Sequence, residues 1–318
     1  MKRSDDHALR QEHQGGKLND FSGEHNSTAA RPIPPARLPV AVAFFAASSL
    51  LFFFMLYRVL PALLHSEIAW FAAFNIVLVL PMVLLLVAAL FAYRLEGRPF
   101  LWPALCDRFR LRQMSGTTWL WTAALAVFMY GGRFALPVTV SFAVIAIALE
   151  RRQTGAKLWM VGGLGVFIVL SWALWHPGPW LAQVPLHREP PYIRDLLNRF
   201  GPENFMDIPL RGHWWIAIYY TAVLLLANIG GEELWWRGYL LPRQEKAQGS
   251  IAWLVHGVLW ASFHLFFQWT LWDLVRMIPT CCALSFVAQY QKNTWPGIIA
   301  HTFGNGALWI QIVRGISG

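Results

Sequence analysis

Of 318 residues, 56% are hydrophobic and 14% charged, against roughly 25% charged in a soluble domain, so an ordinary water-exposed globule is excluded. The net charge of +9 does not point to nucleic acid, because the basic residues fall mostly in short loops between apolar blocks and form no basic stripe. Cys106, Cys281 and Cys282 are too few and too scattered for a disulfide framework or a zinc site.

Residues 1–37 are polar and end in a run containing Pro32, Pro34 and Pro35, which predicts a disordered cytoplasmic tail. The first apolar block starts too late and runs too long for a cleaved signal peptide, so it reads as an uncleaved span. Candidate spans follow at 39–60, 68–93, 117–132, 134–149, 158–176, 213–241, 251–269, 271–290 and 295–313. Lipid forbids open sheet edges, so the expected fold is all-α: a polytopic transmembrane helical bundle of eight or nine spans. Gly131, Gly132 and Arg133 either turn the chain between two spans or interrupt one long helix. Basic clusters lie in the tail and after the second, fourth, sixth and eighth blocks. They share one side if 117–149 makes two spans, which favours a cytoplasmic N-terminus in the cell membrane. The chain then divides into N-terminal helices over 38–176, a loop over 177–212 on the outer side, and a C-terminal core over 213–318. Within the loop, Tyr192, Ile193, Leu196, Leu197 and Phe200 have the spacing of an amphipathic helix lying on the membrane.

Charge inside a span is costly and normally marks a function or a partner. Three C-terminal blocks carry such groups. Glu232 and Glu233 are adjacent, and Arg237 lies four residues after Glu233, where the two share a helix face and can pair. Glu232 then points away, towards the bundle interior. His264 follows Trp260 by four residues in a second block, and His301 and Asn305 are one turn apart in a third. A Glu and a His can share a water and take its proton. A second His and an Asn can donate to a developing oxyanion. This set suffices to hydrolyse a peptide bond without a metal or a covalent intermediate, so no cofactor is expected. Asn228 and Gln268, each one turn from a candidate, are weighed as supporting groups. His256 points well away from His264 and is set apart from the site.

The order Glu-Glu-x-x-x-Arg, aromatic-x-x-x-His, His-x-x-x-Asn resembles the CPBP family, which includes type II CAAX prenyl endopeptidases and bacteriocin-processing or immunity proteins. The resemblance covers roughly residues 213–314. It implies that Glu232 is the general base, that His264 assists it, that His301 and Asn305 stabilise the oxyanion, and that Glu233 and Arg237 support them. The family's second motif usually begins with Phe; here Trp260 stands in that place, for which a change of packing is expected. The implied activity is an intramembrane glutamic endopeptidase acting on a peptide or membrane-protein substrate in the lipid bilayer. Two other readings use the same residues. One is a zinc protease with Glu232, His264 and His301 as ligands; the other is a transporter or scaffold that binds a cation or a partner helix.

Overall fold

Apolar runs in lipid must satisfy their backbone internally, and this chain does so with helices. The computed structural model describes residues 33–131, 136–150, 155–175 and 178–318. The tail expected over 1–37 therefore lies almost wholly outside the described residues, as do Gly132, Arg133, Arg151 and Arg152. The helices run Leu38–His65 (α1), Trp70–Leu95 (α2), Trp102–Arg108 (α3), Gly116–Gly131 (α4), Leu136–Leu149 (α5) and Gly155–Trp175 (α6). After a loop come Pro191–Asn198 (α7), a long helix over 214–248 (α8), Ala252–Phe263 (α9), Leu271–Gln291 (α10) and Trp295–Ser317 (α11). Among the described residues the one sheet is a ribbon of Asn204–Phe205 (β1) and Ile208–Pro209 (β2). Helices α1, α2 and α10, and the run Trp214–Phe267, are long and apolar enough to cross a membrane. Helices α4 and α5 pack against each other, so 117–149 forms two helices and not one.

Three stretches wind wider than an α-helix: Met55–Val59, Asn75–Val79 and Leu226–Leu240. Each ends two residues before a proline, Pro61, Pro81 or Pro242. A proline ring clashes with the carbonyl one turn back and offers no N–H. A wider last turn accommodates both, although in the fifteen-residue stretch Leu226–Leu240 the proline reaches only the final turn, and such turns often sit at functional positions.

Lipid gives helices little hydrophobic reason to associate, so close approach through small residues does the packing. A Cβ added at Gly231 would stand 2.7 Å from the Met82 carbonyl oxygen of α2, and one at Gly230 would meet Leu86. Gly257 brings α9 against α10, where an added Cβ would be 2.5 Å from Cys282 Cα. Gly304 of α11 approaches Met129 of α4 in the same way. Cys281 and Cys282 are buried packing residues.

The polar segments gather at two ends. At one, Ala36 N–H donates to Arg243, Thr294 N–H donates to Arg110, and Gln291 donates to Glu150. The loops expected to be basic therefore do share one end. Many of their cations are bound there. Arg108 is buried and grips Glu96 with two nitrogens, at 2.6 and 2.8 Å, and gives a third bond to the Gly238 carbonyl. Glu245 accepts from both Arg110 and Lys292. At the opposite end, Leu186 N–H donates to Trp269, Leu271 N–H to Val184, and Gly212 N–H to Ile316. Helix α7 forms as its spacing predicts, but Ile193 and Leu196 are buried in the protein core and not in lipid.

Candidate active site

Three helices position the polar groups. The widened part of α8 carries Asn228, Glu232, Glu233 and Arg237, all buried. His264 stands at the end of α9, where the winding tightens into a single turn over His264–Phe267. The tightening has a local cause: Thr270 and Asp273 form a reciprocal cap that starts α10 close by. His187 clamps this turn from the loop. Its Nε2 lies 2.7 Å from the Leu265 carbonyl, and its Nδ1 lies 3.1 Å from the Tyr57 hydroxyl. Helix α11 carries His301, buried, and Asn305, exposed.

The groups fall into two networks. In the first, Glu232 Oε2 accepts a 2.9 Å hydrogen bond from Trp260 Nε1 and lies 3.8 Å from His264 Nε2. His264 Nδ1 lies 2.8 Å from the Trp260 carbonyl oxygen. A carbonyl can only accept, so Nδ1 carries a proton, and a neutral ring presents Nε2 as an acceptor. In the second network, Glu233 Oε1 accepts from Arg237 at 2.8 Å and from His301 Nδ1 at 3.0 Å. Glu233 and Arg237 have no exposed side-chain surface. Glu233 Oε2 faces Gly297, where an added Cβ would stand 2.5 Å away.

The indole of Trp260 stands between the two networks. Arg237 lies over its ring, 3.4 Å from the centroid. The rings of His264 and His301 approach it edge-on at 5.3 and 5.5 Å.

Glu232 and His264 are thus brought together, and so are Glu233, Arg237 and His301. Asn305 belongs to neither group: its amide donates to Asn228 Oδ1 at 3.2 Å. Asn228 is thus the hydrogen-bond partner of Asn305. Gln268 is buried and donates to the Ala261 carbonyl and to Met277. His256 is buried on Gln244. Trp260 is the residue that sequence reasoning underrated. A signal was available, since an indole N–H can donate to a neighbouring carboxylate and a phenyl ring cannot.

Residues 213–307 match the family model of the Rce1-like type II CAAX prenyl endopeptidases. The match agrees with a CPBP-family core, and it supports an intramembrane protease of the CAAX type, with peptide substrates in a membrane setting. The Rce1-like segment contains both networks; helices α1–α6 precede it. No curated protein matches the chain, and no solved structure does.

Proposed function

We propose that the chain is an intramembrane glutamic endopeptidase that cleaves peptide bonds with water activated by Glu232 and His264. The observation that carries this reading is the facing of two acceptors, Glu232 Oε2 and His264 Nε2, at 3.8 Å. A water between them donates one hydrogen bond to each, which turns a lone pair towards a substrate carbonyl. Its oxygen bonds to the carbonyl carbon as Glu232 takes the proton. The carbonyl π electrons move onto oxygen, giving a tetrahedral oxyanion. The proton then passes to the amide nitrogen, the C–N bond breaks, and a carboxylic acid and an amine leave.

Asn305 has a second amide hydrogen beyond the one given to Asn228 and can donate it to the oxyanion. His301 gives its Nδ1 hydrogen to Glu233, so it donates from Nε2 only when the ring holds its second proton. Glu233 and Arg237 fix His301 and neutralise each other. The zinc reading requires three ligands around one point, and no such group of His, Cys, Asp or Glu occurs among the described residues.

Cleavage of a reporter peptide by purified variants in liposomes tests the proposal. Glu232→Gln abolishes cleavage while the folded protein persists, because a carboxamide cannot take the proton. His264→Ala behaves similarly. Asn305→Ala retains more activity, since one oxyanion donor is worth about 10²–10³ in rate. Full cleavage by Glu232→Gln ends the glutamic reading. Loss of wild-type activity to strong chelators brings the zinc reading back.

A further inference from the structure

Trp260 touches both networks of the site. Its indole N–H donates to Glu232 Oε2 at 2.9 Å, and its own carbonyl accepts from His264 Nδ1 at 2.8 Å. One residue therefore orients both acceptors of the proposed water. The side chain is buried, at 2% exposure, so the N–H has no solvent alternative. Its ring face carries Arg237, and its edge contacts include His264 and His301.

We infer that Trp260 is a positioning residue for the general base: its indole N–H fixes Glu232 Oε2 opposite His264, and its ring ties that pair to the Glu233–Arg237–His301 network. The inference rests on the reading of Glu232 as the base. The physical reason is rotational freedom. A carboxylate without this bond can swing about its last side-chain torsion, which is broad. The 3.8 Å gap to His264 would then no longer be held at the width of one shared water. Misplacement on the order of 1 Å at a reacting group can cost about 10²-fold in rate. The loss of a hydrogen bond to an ionised group alone corresponds to about 10- to 100-fold.

The substitution that isolates the bond is Trp260→Phe. It keeps an aromatic face for Arg237 and an edge for both histidines and removes the donor. Replacing Trp260 with benzothienylalanine, which has the shape of tryptophan and no N–H, is the companion measurement if the Phe variant accumulates poorly. Both are assayed as the full chain in liposomes, with rates normalised to folded protein. The expected result is a fall in kcat per folded molecule of about 10- to 100-fold, with KM unchanged. A purely structural role lowers the amount of folded protein and its midpoint and leaves kcat per folded molecule intact; that result overturns the inference. So does an unchanged kcat in the benzothienylalanine protein. The Glu232→Gln arm separates the two levels. Active Glu232→Gln removes the base itself, whereas inactive Glu232→Gln with a normal donor-free Trp260 protein removes only the role of Trp260.

Discussion

Two adjacent glutamates of one helix serve different networks, and the difference lies in their partners. Glu233 is closed in by Arg237, His301 and Gly297. Glu232 meets an indole N–H and an imidazole acceptor. The pairing of Glu233 with Arg237 was legible from a spacing of four residues. The bond from Trp260 was not, because a reading by residue class treats Trp and Phe as equivalent aromatics. The separation of Asn305 from His301 was also hidden, since a shared helix face says nothing of the partner each residue finds across it. Removing Arg237 leaves Glu233 as a buried charge that keeps only His301, at a cost of about 3–5 kcal/mol. Arg237→Ala is therefore expected to accumulate in membranes far less than Glu232→Gln, and immunoblots of membrane fractions compare them. Equal accumulation would show that the ion pair does not hold the helix. Gly297→Ala tests the same network from α11. Its methyl would overlap Glu233 Oε2, so the carboxylate must move from His301 and Arg237. The expected outcome is a lower thermal midpoint in detergent together with reduced cleavage; a variant with wild-type values on both would count against a tightly fixed Glu233.

At the scale of elements, the helices were readable from apolar block length, because lipid leaves the backbone no other option. Their winding was not. The wider turns before Pro61, Pro81 and Pro242 follow from proline sterics, but apolar periodicity does not register them. Helix α7 was readable from spacing alone, while its burial depended on a surface created by distant residues: Phe74 and Phe205 both pack on Phe200 beside it. Glycine contacts decide how closely helices approach. A methyl at Gly231 would press on the Met82 backbone, which cannot rotate away. Gly231→Ala is expected to destabilise by about 1–3 kcal/mol through overpacking and to impair cleavage, since Glu232 is the next residue. Gly306→Ala is the control: nothing lies within 4 Å of its added Cβ, and its effect should stay within about 0.5 kcal/mol. Thermal unfolding in detergent reads both, and equal midpoints for the two variants would refute the close-contact explanation.

For the whole molecule, the family match spans 213–307, yet the helices before it wall the site. Phe45 of α1 stacks on Trp236 at 4.2 Å, α2 lies against Gly230 and Gly231, and Arg108 holds Gly238. No motif announced these contacts, because a wall can be built from many side chains and only the reacting groups are chemically specific. Basic loops gather at one end, and the excess of Lys and Arg there predicts that this end faces the cytoplasm. Cysteines placed singly at the exposed positions Leu101 and Ala247 should resist an impermeant thiol reagent applied to intact cells, while one at Arg188 should react. Labelling at 101 or 247 but not at 188 would reverse the orientation.

The Arg108 junction also bears on how the chain is made. Synthesis runs from the N-terminus, so α1 and α2 enter the bilayer before the Gly238 carbonyl or Glu245 exists. Glu96 precedes Arg108 by twelve residues, and the two can pair as soon as their loop emerges. The nascent first half thus has its buried cation neutralised locally and needs no later residue for that. Its packing is different: the Met82–Leu86 face of α2 has to wait for the glycines of α8. Stalling translation after α6 should accordingly leave an inserted segment in which Arg108 already has its partner but α2 is laterally unpartnered, the state in which membrane quality-control proteases would find it.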